Sequence, residues 1–219
     1  HSEGVPKSFI ETGGTLEIVQ LWVNLPQALK MVQPNYQVFN RADIPVVEQT
    51  NSKINVISGM IENVTGPIKS LTGITALTIE MKPEGKATFN LQEGQNVAIY
   101  QLSGKSHING YPLSHMQLVK LSSEGTEIEI QSEISTKLLV LSGDSIDEPK
   151  KMWGPYVMNT QTVYRKSTRL NSSHLAISSA VFCLYKNIFF SFFFFFFLFF
   201  FLSSSLFSSL HSPTPHPLP

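Results

Sequence analysis

In short segments of the first 142 positions apolar and polar residues alternate with a period of two, which predicts strands rather than helices. Residues 16–25 carry Val19, Leu21, Val23 and Leu25 on one face and Gln20, Trp22 and Asn24 on the other, and Pro26 ends the run. Residues 39–51 read as a loop and linker, with Ile44-Pro45 as its fixed point. From Lys53 the pattern becomes a series of short strands at 53–58, 74–81, 86–91, 96–103, 107–111, 116–121, 126–131 and 137–142. Gly59, Gly66-Pro67, Pro83-Glu84-Gly85, Gly94, Ser103-Gly104, Glu124-Gly125 and Gly143 separate them. The cleanest alternation is Thr126-Glu127-Ile128-Glu129-Ile130-Gln131, which puts both isoleucines inward and the glutamates in water. Helical periodicity is absent between 53 and 142. Strands this short and regular predict an all-β sandwich or barrel of about one hundred residues. Its interior should include Val56, Ile79, Ile99, Val119, Ile128, Ile130 and Leu139.

The candidate chemistry lies at the start of the chain. His1 and Glu3 stand two residues apart, so on an extended backbone both side chains leave one face and can converge on a single ion. The plain alternative is an exposed, frayed terminus. Further on come Gln20-Leu21-Trp22-Val23-Asn24-Leu25-Pro26, Lys30-Met31 and Pro34-Asn35-Tyr36-Gln37. In that order and spacing, HSE, QLWVNLP, KM and P-x-YQ resemble the pirin family, at the end of its first cupin barrel.

The resemblance implies an all-β bicupin, two double-stranded β-helix (jelly-roll) barrels in tandem. This chain would hold the last strands of the N-terminal, metal-binding cupin at 1–48 and the C-terminal cupin at 49–150. The start of a C-terminal extension would follow at 151–163, where Gly154-Pro155-Tyr156-Val157-Met158-Asn159 resembles the GPFVMN segment of pirins. The family binds its metal, usually iron, through a His-x-His pair and a later His and Glu. His1 and Glu3 match the second pair, so the resemblance implies that they are metal ligands and that the first pair lies upstream. The sequence, which does not begin with Met, then reads as a piece starting within a metal site. With most of that barrel missing, Val19, Leu21, Val23 and Leu25 would lack facing residues.

In the second cupin the strand that would carry His-x-His reads Lys86-Ala87-Thr88-Phe89-Asn90, without a ligand cluster. His107 and His115 read as turn or surface histidines, separated by Gly110 and Pro112. The second barrel is therefore expected to be structural, or to bind something other than a metal.

For the intact protein the resemblance implies Fe2+ or another first-row divalent metal, held by nitrogen and oxygen donors with open positions. It also implies a quercetin 2,3-dioxygenase-type activity on a flavonol, with Glu3 as ligand and as the base for the flavonol hydroxyl. The second reading it offers is an iron-containing, redox-sensing co-regulator with a protein partner.

Charge divides the chain. All 16 acidic residues but only 12 of the 16 basic ones lie in residues 1–163, giving −4 there and +4 beyond. A mildly acidic body carries no footprint for nucleic acid. The single cysteine, Cys183, leaves that body without a disulfide, which fits a cytoplasmic or nuclear location.

Residues 164–219 read as a non-native tail. RKSTRLNSSH at 165–174 and ISSAVFCL at 177–184 resemble one reading frame of a sequencing-library adapter, with Leu175-Ala176 in the place of a sample index. Of the 16 phenylalanines, 13 follow Tyr164. The apolar run 188–202 is shorter than the roughly 20 residues that span a bilayer, so no membrane anchor is expected. Nor does the tail show a periodicity that would define a docking face, so 165–219 is expected to have no specific packing against the body.

Overall fold

The computed structural model describes residues 11–13, 18–153, 156–160, 181–184 and 187–191. In chain order the strands are β1 (Ile18–Trp22), β2 (Val46–Gln49), β3 (Ser52–Ser58), β4 (Met60–Ile61), β5 (Val64–Thr65) and β6 (Thr75–Met81). Next come β7 (Lys86–Asn90), β8 (Asn96–Ser103), β9 (Lys105–Ile108), β10 (Tyr111–Ser114), β11 (Leu118–Lys120) and β12 (Glu127–Ser132). The last are β13 (Thr136–Gly143), β14 (Lys151–Trp153), β15 (Tyr156–Met158), β16 (Val181–Leu184) and β17 (Asn187–Ser191). Between 53 and 142 the described residues hold no helix. Two compact units result, one drawn from His1–Val23 and Val181–Pro219, the other from Asn24–Ala180.

The second unit has two main antiparallel sheets. Six strands form one, in the order β11-β8-β13-β6-β3-β2, and four form the other, in the order β10-β9-β12-β7. Alternation decides what each strand buries. In β12, Ile128 and Ile130 are buried while Glu127, Glu129 and Gln131 are exposed, as the pattern predicts. β7 does the same with Ala87 and Phe89. These join Ile54, Val56, Leu77, Ile79, Val97, Ile99, Ile108, Leu138 and Val140 in one apolar cluster. At roughly 1.5–3 kcal/mol for each large side chain removed from water, this cluster is the main favourable term in the fold.

The interior expected from the sequence holds at Val56, Ile79, Ile99, Ile128 and Ile130, and Val119 packs against it half-buried. Leu139 is a correction. Its neighbours Leu138 and Val140 occupy the cluster, so the pleat turns Leu139 to the opposite face, where it is equally buried. β13 is thus buried on both faces, and a strand of that kind shows no alternation from which to choose a face.

Several boundaries also differ. The expected 39–51 loop gives up Val46–Gln49 as edge strand β2, and the expected 107–111 strand is the turn of a hairpin. Ile108 lies opposite Tyr111, leaving Asn109 and Gly110 as a two-residue turn with φ of 47° and 83°. Positive φ at both residues is the type I′ geometry that matches the twist of the flanking strands, and Asn-Gly is its usual sequence. At Gly104 (φ 84°) the turn has no room for a side chain, because a Cβ there would lie 2.4 Å from Ser135 O.

The first unit is a three-stranded sheet with β1 between β16 (antiparallel) and β17 (parallel). This corrects the expectation that 165–219 has no specific packing against the body. A lone strand presents unpaired N–H and C=O groups on both edges, and main-chain pairing asks little of the partner's sequence beyond an extended, apolar character. Nor does the apolar face of residues 19–25 stand in water: Val19, Leu21, Val23 and Leu25 are 2–5% exposed. Gln20 is buried as well, at 2%, so β1 is not the half-buried strand its alternation suggests. No helix among the described residues is long and apolar enough to cross a membrane.

Candidate functional site

His1 and Glu3, the ligand pair predicted from the sequence, lie outside the described residues. The described residues contain no group of three or more His, Cys, Asp or Glu side chains able to hold a metal. In the second unit the reason is visible. The inward positions of β7, β9 and β12 are mostly apolar, Ala87, Phe89, Ile108, Ile128 and Ile130, and the buried Ser106 and Ser132 hydroxyls are taken up by Gln101 Oε1 and Lys82 O. Both histidines are on the outside. His107 is on β9, not in a turn, and its Nδ1 lies 3.6 Å from Glu133 Oε1 with both side chains partly in solvent. His115 is exposed in the turn after β10.

What the structure does bring together is a set of polar residues flanking the sheets. Pro26 ends the first strand run and starts a 3-10 turn at Gln27–Leu29, whose first N–H groups have no partner within the turn. Glu148 supplies one. Its Oε2 accepts the Gln27 N–H at 2.7 Å and the Asn159 side-chain amide at 2.8 Å. The same Asn159 amide nitrogen donates to Pro149 O at 3.1 Å, and Asn159 is buried. Lys30 completes the group, with its ammonium donating to Asn24 Oδ1. Burial pushes the Lys30 pKa down and the Glu148 carboxylate opposes that shift. Removing an ammonium from water disfavours the charged form, and a nearby anion favours it.

Sequence reading did not foresee this clasp, although a signal for it was present. Three segments that carry the resemblance contribute members: Asn24 and Gln27 in and just after QLWVNLP, Lys30 from KM and Asn159 from the last motif, and Glu148 joins them. The Glu148 carboxylate oxygen is shared by Gln27, 121 positions before it, and Asn159, 11 positions after it. The motifs look unrelated along the chain because their meeting point is tertiary.

At the other side of the second unit, Gln49 of β2 uses its side chain as a peptide group. Its Oε1 accepts the Thr88 N–H at 2.8 Å and its Nε2 donates to Thr88 O at 2.7 Å. The edge of the four-stranded sheet is thereby satisfied from the edge of the six-stranded one, a local guard against strand addition.

Residues 76–168 match the family described as the pirin C-terminal cupin domain. This stretch is similar to a pirin-type cupin. A Pseudomonas aeruginosa protein provisionally named a quercetin 2,3-dioxygenase is 33% identical over 163 residues, 74% of this chain and 57% of that protein. Pirin-like protein 2 of Arabidopsis thaliana is 31% identical over 170 residues, 74% of this chain and 51% of its own length. Among solved structures, the quercetin 2,3-dioxygenase of Acinetobacter baumannii superposes with a TM-score of 0.66 at 29% identity. That alignment covers 69% of this chain and 54% of the solved one. The chain thus spans about half the length of the curated relatives it matches. It shares their all-β, multi-sheet cupin fold.

Proposed function

We propose that this chain is part of a pirin-like, metal-dependent bicupin whose intact form carries quercetin 2,3-dioxygenase-type activity. The observation that carries the reading is the likeness to proteins bearing that name, both in sequence and in superposed structure. In this reading His1 and Glu3 belong to the metal site, and the site is completed by a His-x-His pair in the rest of the protein. An imidazole nitrogen and a carboxylate oxygen suit Fe2+ or another first-row divalent ion, and the chain has no thiolate in its body to favour a softer one.

The bound metal would supply a place for dioxygen and an oxidisable flavonol to meet. The chain's own residues do the rest. Glu3 takes the proton from the flavonol hydroxyl as it binds, and His1 serves as a neutral ligand whose ring is oriented by a hydrogen bond from its other nitrogen. The pirin-type cupin at 76–168 is filled with side chains, so its part is support rather than chemistry. By itself the chain lacks half of the ligand set. In this reading it should show no quercetin turnover and no tight iron site.

The test is oxygen uptake with quercetin, measured for the chain as it stands and for the protein extended upstream. Activity only in the extended protein supports the reading. An extended protein that binds iron but consumes no oxygen, and instead changes its affinity for a protein partner with iron oxidation state, supports the redox-sensing co-regulator.

A further inference from the structure

The β9–β10 turn contains the chain's single Asn-Gly pair, Asn109-Gly110, and both residues are exposed. A Cβ placed on Gly110 would meet nothing within 4 Å, so the turn is open on that side. Asn109 is held from one side only. Its N–H donates to Glu129 O at 2.9 Å, and its Oδ1 accepts the Glu129 N–H at 2.8 Å. Strand β10, which the turn feeds, is the outermost strand of the four-stranded sheet and pairs there with β9 alone.

We propose that Asn109–Gly110 is a self-modification site, at which the chain converts Asn109 to aspartate and isoaspartate with water as its only co-reactant. The Gly110 backbone nitrogen attacks Asn109 Cγ and forms a C–N bond. The Cγ–Nδ2 bond breaks, and ammonia leaves with the proton from the Gly110 amide. Water then opens the five-membered imide at either carbonyl. Opening at one carbonyl gives aspartate, and at the other isoaspartate, in which the main chain runs through the side-chain carbon. Glycine is what makes ring closure feasible, because any Cβ on the attacking residue would crowd the ring.

The closed hairpin restrains the reaction, since both Glu129 bonds fix Asn109 while ring closure must rotate it. Fraying of an edge strand needs no global unfolding, so the reaction runs from the locally opened turn. The two products differ in consequence. Aspartate keeps an oxygen for the Glu129 N–H and preserves the turn. Isoaspartate lengthens the main chain by one atom, so a two-residue turn can no longer place Ile108 opposite Tyr111, and β10 is released.

The experiment is prolonged incubation of the full chain at neutral pH, followed by peptide mass mapping with isoaspartate detection. It is run in buffer and in urea kept below the unfolding transition. The expected result is a gain of about 1 Da at Asn109, as an amide becomes a carboxyl, ahead of every other described asparagine. Local opening exposes little surface, so the rate should be flat across that urea range. Asn109→Gln, which would need a six-membered ring, should lose the conversion, and Asn109→Asp should keep the wild-type thermal transition. The proposal is overturned if Asn109 stays intact in the folded chain while a peptide of the same sequence converts. A rate that climbs with urea in step with global unfolding would also overturn it.

Discussion

Gln27 and Glu148, separated by 121 positions, are joined by a 2.7 Å hydrogen bond from a backbone N–H to a carboxylate oxygen. The same oxygen receives the Asn159 amide, so one carboxylate ties the segment entering the second unit to the segment leaving its last main strand. Hydrogen bonds to a charged acceptor are worth more than neutral ones, and partial exposure reduces the gain. Glu148→Ala should therefore cost about 1–2 kcal/mol, read as a lower urea midpoint with an unchanged slope. Glu148→Gln, which retains an acceptor oxygen, should cost less. Equal stability of wild type and Glu148→Ala would show that the clasp contributes nothing.

Lys30 gives that clasp a pH signature. Burial lowers its pKa below the ordinary value of 10.5, so the folded state gives up the proton before the unfolded state does. In the alkaline window between the lowered and ordinary values, the unfolded state binds more protons and stability rises with pH. Below that window the cost of burying the charge is present in full. Glu148 opposes the shift, so Glu148→Gln should push the Lys30 pKa lower still and widen the window. Stability measured against alkaline pH, compared with Lys30→Gln, checks this: the Lys30 contribution should vanish in that variant. A slope that survives Lys30→Gln belongs to another group.

Ile130 and Glu129 are adjacent on β12 and lie on opposite sides of it, one fully buried and the other exposed. Ile130→Ala should cost about 2–5 kcal/mol through lost burial and the cavity left between the sheets. Glu129→Ala, whose visible side-chain bond is to exposed Gln131, should stay within about 0.5 kcal/mol. Urea denaturation of both variants measures the contrast, and similar losses would mean that the strand's faces are wrongly assigned.

The apolar cluster of the second unit takes all its members from residues 54–140. Truncation after Tyr164 removes β16 and β17, the partners of β1, and should leave the thermal transition of the two-sheet unit where it is. It should also raise solubility by removing the phenylalanine run. A clear drop in that transition would show that residues 165–219 support the cupin, contrary to their reading as a non-native tail.

Much of this fold was legible in the sequence because one face of most strands meets the core and the other meets water. The residues 126–131 and 86–91 alternate, and their buried sets follow directly. Leu139 was misplaced because residues 138–141 of β13 form an unbroken apolar run, and a strand buried on both faces carries no period from which to choose one. The β9–β10 hairpin was missed although Asn109-Gly110 is a strong turn signal, since the histidine and tyrosine flanking it read as one continuous strand. The clasp was out of reach of any local pattern, because Gln27, Glu148 and Asn159 meet only once the sheets have formed. The β1 sheet was missed for another reason: its pairing is made by the main chain, and side-chain periodicity says little about main-chain partners.

The account rests on His1 and Glu3 as half of a metal site. The most direct measurement is iron stoichiometry in a protein extended upstream to include the proposed His-x-His pair, alongside His1→Ala, Glu3→Ala and the chain as it stands. Stoichiometric iron in the extended protein, its loss in each substitution and its absence from the present chain are the predicted results. Two ligands alone cannot fix a coordination geometry, because the remaining positions would be left to solvent. Stoichiometric iron in the present chain, or iron retained after both substitutions, would contradict the account.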